Sequence, residues 1–170
     1  MSGGLTYVTL STNMGWIGIL GSAKGLLRTT LPQSSSQEAI KLLGDRVPDA
    51  TWSPGLFNDL VERLRRYFGG YQAAFPDRLV LSEATSFQRG VWEAARLIPH
   101  GETRSYAWVA NHIKRPGAAR AVGQALGKNP LAIIVPCHRV IASDGGLGGF
   151  GGGLEMKRRL LLLEANSVTG

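Results

Sequence analysis

The chain changes character near residue 82, from short strand-like stretches mixed with helix to a mainly helical pattern, and that change limits what it can fold into. Before it, residues 5–10, 15–20 and 25–31 are short stretches rich in Val, Leu, Ile, Thr and Trp, separated by Ser11-Thr12-Asn13 and by Gly21 to Gly25. Stretches of that length between turn formers read as strands of a meander or a hairpin pair. Gln33 to Ser36 reads as a polar loop, residues 37–43 as a short helix, and Pro48 and Pro54 bracket another loop. Phe57, Leu60, Val61, Leu64 and Phe68 then recur at helical spacing, with Arg63, Arg65 and Arg66 facing elsewhere and Gly69-Gly70 ending the helix. Residues 78–81 are expected to add an edge strand.

After residue 82 the period is helical. Thr85 and Gln88 have capping-box spacing, so a helix is expected from there to about Leu97, burying Phe87, Val91, Ala95 and Ile98. Pro99-His100-Gly101 stops it. Ser105 can cap a second helix with Tyr106, Val109, Ala110 and Ile113 on one face, and after the break at Arg115-Pro116-Gly117 residues 118–128 form a third. Two short helices joined by a Gly-containing turn match a helix-turn-helix. Residues 131–135 are a continuous apolar run that ends at Pro136, and residues 154–164 are a leucine-rich helix. The expected organisation is α+β in two domains. Residues 1–82 form a small α/β unit with an antiparallel sheet, and residues 83–170 a mainly helical unit carrying the helix-turn-helix.

Charge narrows the partner. The chain of 170 residues carries a net charge of +7. Residues 1–82 hold eight cations against six acids, residues 83–170 eleven against six, and no acid occurs between Glu102 and Asp144. That interval carries Arg104, Lys114, Arg115, Arg120, Lys128 and Arg139. A one-signed stretch within a folded region suggests a polyanion, because each cation placed on a phosphate releases a condensed counterion. No apolar run is long enough to span a bilayer, and the first residues lack the basic start and apolar stretch of a signal peptide, so a cytoplasmic monomer is expected. One cysteine excludes an intrachain disulfide and a multi-thiolate site, and His100, His112 and His138 lie far apart, so neither metal nor cofactor is expected.

The third helix has an unusual composition. Ala118, Ala121, Val122, Ala125 and Leu126 make one apolar stripe, while the opposite face reads Ala119, Arg120, Gly123, Gln124 and Gly127. A reader of the major groove carries several long polar side chains to base edges, and this helix does not. A face of small residues admits close approach, either to a narrow minor groove or to another helix. Arg120, with no acid nearby in sequence, favours DNA.

The lone thiol, Cys137, stands between Pro136 and His138-Arg139. A cysteine in apolar surroundings is normally an inert filler. Here Pro136 ends the preceding run, and a core position is not expected to hold both His138 and Arg139. A neighbouring imidazole or cation favours the thiolate. In an extended strand adjacent side chains point apart, so Cys137 and His138 can cooperate only through a turn or a bridging water. An activated thiol needs a base oriented by a third group. Glu164, at the end of the last helix, can supply it, although from the residues alone it reads as a solvated helix-end acid. The run Gly145-Gly146-Leu147-Gly148-Gly149-Phe150-Gly151-Gly152-Gly153 lets backbone approach a ligand but lacks the Gly-Lys-Ser/Thr ending of a triphosphate loop.

Pro136-Cys137-His138-Arg139-Val140 resembles the active-site signature of the O6-alkylguanine-DNA alkyltransferases, also called methylated-DNA–protein-cysteine methyltransferases. The resemblance extends over Phe87-Gln88, Val91-Trp92, Ile98 to Thr103, Ser105-Tyr106, Ala118 to Gly123, Asn129-Pro130 and the glycine loop, covering residues 83–166 densely and the first 80 weakly. It implies a ribonuclease-H-like first domain. It also implies irreversible, cofactor-free, single-turnover transfer of an alkyl group from guanine O6, and from thymine O4, in duplex DNA to Cys137. In that scheme His138 acts through water as base, Glu164 supports it, and Asn129 orders the helix-turn-helix and active-site loop together. Arg120 replaces the extruded nucleotide, and Tyr106 crowds its phosphate and bonds the guanine. Ala119, Gly123, Gln124 and Arg139 complete the expected DNA face, and Val140, Phe150 and Gly151 the base pocket with Tyr106. Phe150 stands where many members have Tyr, Gly151 where some have Ser, and His100 where Tyr is common. A non-catalytic group of relatives has Trp in place of the cysteine, and Cys137 argues against membership there. A DNA-binding sensor or regulator with an idle thiol, and a Cys-His hydrolase, are the competing functions.

Overall fold

The computed structural model of the protein describes residues 4–169. The chain divides into two compact units, one comprising residues up to Leu81 with Pro130–Ile134 and the residues from Val168, the other Ser82–Asn129 and Val135–Ser167. The second unit is therefore not one uninterrupted stretch. Residues 130–134 go with the first unit because Thr29 takes them. Its N–H donates to Pro130 O (3.0 Å) and its Oγ1 to Ala132 O (2.6 Å).

In the first unit, β1 (Thr6–Thr12), β2 (Gly15–Ser22) and β3 (Gly25–Thr29) form the expected meander, α1 (Ser36–Leu42) follows, and β4 (Thr51–Trp52) completes a sheet of order β3-β2-β1-β4. The sheet is mixed rather than antiparallel. β4 pairs parallel to β1, Thr6 with Thr51 and Tyr7 with Trp52, since α1 and its loops bring the chain back to the start of β1. Thr6, Val8 and Leu10 point into the core from β1, with the period of two that one buried face dictates. Gly18 makes the sheet–helix contact possible, because a Cβ there would stand 3.0 Å from Ala39 O and from Leu43 Cγ. Helix α2 (Asn58–Phe68) buries Leu60, Leu64, Tyr67 and Phe68, and its Arg63 makes a bidentate pair with Asp77 at 2.8 and 2.7 Å. The expected edge strand at residues 78–81 is reduced to a single bridge, Leu79 against Leu26. The apolar run 131–135 is likewise not a strand. Leu131 bridges Thr29, and Ile133 turns the chain with φ 72°, a conformation costing a β-branched residue about 1–3 kcal/mol.

The second unit begins with α3 (Ser86–Arg96), whose capping box is complete: Thr85 Oγ1 accepts from Gln88 N and Gln88 Oε1 from Thr85 N. A two-residue strand, β5 (Arg104–Ser105), leads into α4 (Tyr106–His112), capped by Ser105 Oγ accepting from Trp108 N. After the turn comes α5 (Ala119–Gly127), giving the helix-turn-helix. Trp92 Nε1 donates to Ala125 O (2.9 Å), tying α3 to α5. Cys137–Arg139 form one turn of 3₁₀ helix, then β6 (Val140–Ile141) pairs parallel to β5, and α6 (Leu154–Ala165) follows the glycine loop. Among the described residues no helix is long and apolar enough to cross a membrane.

Candidate active site

The turn after Pro136 answers how neighbouring residues can cooperate. In 3₁₀ geometry Cys137, His138 and Arg139 do not alternate as in a strand. Cys137 is half-buried, while His138 and Arg139 are buried, with 1% and 7% of their surface exposed. The expectation that a core position would not hold both is overturned, and Glu164 is the reason. Far from being a solvated helix-end acid, it is 3% exposed and lies between them. Its Oε2 accepts from His138 Nε2 (2.5 Å) and Arg139 Nη2 (3.1 Å), its Oε1 from Arg139 Nε (2.8 Å) and Gly101 N (3.1 Å). Arg139 Nη1 also donates to Ile98 O (2.7 Å). A buried carboxylate is tolerated only when so compensated.

The charges of this cluster follow from its contacts. Burial alone would raise the Glu164 carboxyl, but the His138 hydrogen bond and the Arg139 guanidinium hold it well below the usual carboxylate range. An ionised carboxylate only accepts, so the His138 proton sits on Nε2, and Nδ1 is the ring's basic nitrogen. Burial pushes His138 below its ordinary value despite Glu164, so the imidazole is neutral at neutral pH. Burial pushes the Cys137 thiol up, opposed by the Asn129 hydrogen bond and by Lys157. Asn129 Nδ2 donates to Val135 O (3.0 Å) and lies 3.4 Å from Cys137 Sγ, so it ties the end of α5 to the start of the cysteine turn.

Lys157 was not foreseen. It is fully buried, and its Nζ donates to Val140 O (2.7 Å), Leu147 O (2.5 Å) and Gly149 O (3.1 Å), with the rings of Tyr106 and Phe150 each 5.8 Å away. Burial lowers its pKa to about 8, against the pull of Cys137. The signal available in the sequence was spacing. Lys157, Leu160 and Glu164 follow one another by three and four residues, a single stripe of α6, and that stripe is the buried one, while Leu154 and Leu162 are exposed.

Tyr106 leans on Gly123, where a Cβ would lie 3.7 Å from its ring, and its hydroxyl is 3.4 Å from Gly149 O. On α5, Val122, Ala125 and Leu126 are buried, Ala119 and Gly123 half-buried, and Arg120, Gln124 and Gly127 exposed. Phe150 is half-buried and Gly151 exposed with open space about it, so the fold does not exclude a larger residue at 151. Val140, expected in the base pocket, is fully buried, its N–H spent on Cys137 O within the turn. His100 Nε2 is 3.0 Å from Ser167 Oγ, which itself donates to Leu163 O (2.8 Å), so this side chain braces the end of α6. Arg139 does not belong to a DNA face: its guanidinium is committed to Glu164 and Ile98 in the interior. Among the described residues no group of three or more His, Cys, Asp or Glu converges to hold a metal.

Residues 86–166 match the model of the 6-O-methylguanine DNA methyltransferase, DNA binding domain family. A methylated-DNA–protein-cysteine methyltransferase of Mycobacterium tuberculosis strain H37Rv is 54% identical over 114 residues, 67% of this chain and 68% of that protein. The one from Methanosarcina barkeri is 40% identical over 162 residues, covering 95% of this chain and 98% of that one. The chain belongs to the methylated-DNA–protein-cysteine methyltransferase family. The fold agrees. The crystal structure of M. tuberculosis OGT in complex with DNA is 43% identical, with TM-score 0.78, over 94% of this chain and 92% of that one. The O6-methylguanine-DNA methyltransferase of the archaeon Pyrococcus kodakaraensis, 25% identical, gives TM-score 0.63 over 94% and 98%. Within this methyltransferase the segment matched by the family model contains Cys137, His138, Arg139, Glu164, Asn129 and Lys157.

Proposed function

We propose that the protein repairs DNA by moving an alkyl group, in the first instance methyl, from O6 of guanine to Cys137 Sγ. The observation that carries this reading is the buried turn in which the thiol is followed by a neutral imidazole locked onto an ionised Glu164. A thiol whose pKa is raised by burial is protonated at rest. It becomes a nucleophile only when a base takes its proton, and we assign that role to His138 Nδ1 acting through one water, with Nε2–H kept on Glu164. The thiolate attacks the alkyl carbon. The S–C bond forms, the C–O6 bond breaks with its electron pair remaining on the base, and the guanine takes up a proton, in net the one His138 drew off sulfur, so that base and imidazole both end neutral. The thioether leaves no path back, so each molecule acts once.

The alkyl carbon is out of reach inside a stacked duplex, and extruding the base costs a few kcal/mol. The exposed face of α5, where Ala119 and Gly123 carry almost no side chain, supports close approach of this helix to the minor groove. Arg120 is the one long side chain on that face able to fill the vacated stack, with Gln124 beside it, and Tyr106 stands at the edge of the glycine loop where the extruded base would enter. Duplex DNA is thus the partner, held mostly through phosphates.

The test is intact-protein mass after incubation with a duplex carrying one O6-methylguanine. One added methyl per molecule, located on Cys137 and absent from Cys137→Ser, is expected. Binding without a mass change would instead mark a damage sensor, and indifference to the DNA a hydrolase. A second duplex with O4-methylthymine asks whether the same sulfur accepts from thymine.

A further inference from the structure

A buried ammonium without a carboxylate needs a reason. Among the described residues no acid pairs with Lys157, although it is wholly buried. Three carbonyl dipoles and two aromatic faces solvate the ion but do not neutralise it. The net positive charge is left inside the unit that holds the thiol. The Tyr106 ring lies 5.8 Å from Nζ, and Cys137 and His138 stand on the turn that leads directly into Val140, so that charge on either bears on Lys157; of these groups only the thiol is called on to become an anion. The same Nζ bonds Val140, one residue past the Cys-His-Arg turn, and both Leu147 and Gly149 of the glycine loop. One atom thus touches the segment that carries the nucleophile and the segment that shapes the base pocket.

We infer that Lys157 is a positioning residue for alkyl transfer: its ammonium latches the glycine loop to the strand that follows the cysteine turn and serves as the interior counter-ion of the Cys137 thiolate. The two duties are coupled. When His138 draws the proton off sulfur, the new negative charge strengthens the hold on the ammonium, and through it the loop closes more firmly on the base at the moment of attack. By linkage, whatever Lys157 does to the thiol's proton affinity the thiolate does in reverse to that of Lys157. After transfer the sulfur is a neutral thioether, and the latch loses that support. The inference rests on Cys137 being the acceptor but can be tested apart from it.

The experiment follows alkylation of Cys137 by iodoacetamide, a small neutral reagent that needs no DNA, as a function of pH by mass spectrometry. Wild type is compared with Lys157→Met, Lys157→Gln and Lys157→Arg, each checked for folding by near-UV circular dichroism. At pH 7, where the Lys157 ammonium is charged, the alkylation rate is expected to fall about tenfold in the Met and Gln variants and to stay near wild type in Arg, because a nearby cation favours the thiolate. A role confined to packing would leave that rate in place, and an unchanged rate at pH 7 in a folded Met or Gln variant overturns the inference. Should those variants not fold, the wild type decides. With labelled lysine, the Lys157 side-chain resonance is titrated before and after Cys137 is carbamidomethylated. Loss of the anion is expected to lower its midpoint, and an identical midpoint refutes the coupling. If instead wild type takes up no methyl from O6-methylguanine duplex, the repair reading fails while these titrations still judge Lys157.

Discussion

The backbone at Gly148 passes so close to Tyr106 that a Cβ at position 148 would stand 2.5 Å from the phenolic oxygen and 2.8 Å from the ring. Its φ is +71°, a region glycine occupies freely and other residues enter at a cost of roughly 1–2 kcal/mol. Tyr106 cannot simply retreat, since Gly123 of α5 lies against the other part of its ring. Gly148→Ala should therefore displace the loop from Tyr106. Reaction with free O6-alkylguanine base, followed by protein mass, should slow at least several-fold while the melting temperature falls by only a few degrees, since the loop is at the surface. Gly149→Ala, with open space at its Cβ, should leave both near wild type.

Arg120 is exposed on α5 and, among the described residues, engaged in no ion pair. If it fills the stack left by an extruded base, Arg120→Ala should slow repair of duplex DNA by roughly tenfold or more, the few kcal/mol of unstacking being no longer offset. The free alkylguanine base needs no extrusion, and its reaction should change less than about twofold. Single-turnover rates for the two substrates make the comparison, and equal slowing would remove the wedge from the mechanism.

Much of this was legible in the residues, and the parts that were not share one cause. Period and punctuation fix the meander, the capping box at Thr85 and both helices of the helix-turn-helix, because each depends on contacts within a few residues. Three local readings fail where a distant segment intervenes. The apolar run 131–135 looks like a strand, but Thr29 captures the carbonyls of Pro130 and Ala132 and the chain turns at Ile133. Residues 78–81 look like an edge strand, but only Leu79 finds a partner. Glu164 and Arg139 look solvated one at a time and are buried only because each is the other's partner, 25 residues apart. Lys157 is harder still. Its partners are backbone carbonyls, which no side-chain pattern announces.

The His138–Glu164 pair gives stability a defined dependence on acid. His138 is held neutral, its folded pKa below the ordinary value near 6.5. The unfolded chain binds the extra proton first as pH falls through about 6.5, so stability drops from there toward the folded pKa. Glu164 has the same sign, with its contribution intact above about 4.3 and lost as pH falls through its depressed folded value. Urea midpoints should be level near pH 7 and decline in two stages below. His138→Gln should shrink the upper stage to what His100, also lowered by burial, contributes, and a midpoint that rises on acidification to pH 6 would contradict the assignment.

Glu164→Gln separates the two services the carboxylate performs. The amide can still accept from Gly101 or His138, but it leaves the Arg139 guanidinium buried without its counter-charge, and breaking a buried pair in this way costs about 3–5 kcal/mol. Arg139→Met removes the guanidinium and leaves the carboxylate facing His138 and Gly101 alone. Because Glu164 then holds a single cationic candidate, the imidazole, the proton affinity of His138 should rise. The base would be charged at a higher pH than in wild type, and methyl transfer measured across pH 5.5–8 should lose its acid limb earlier. The Gln variant should behave oppositely, keeping a neutral imidazole to lower pH but orienting it poorly, so that the rate falls at every pH. Parallel profiles in the two variants would mean that Glu164 acts on stability alone and that His138 is not the group receiving the thiol's proton.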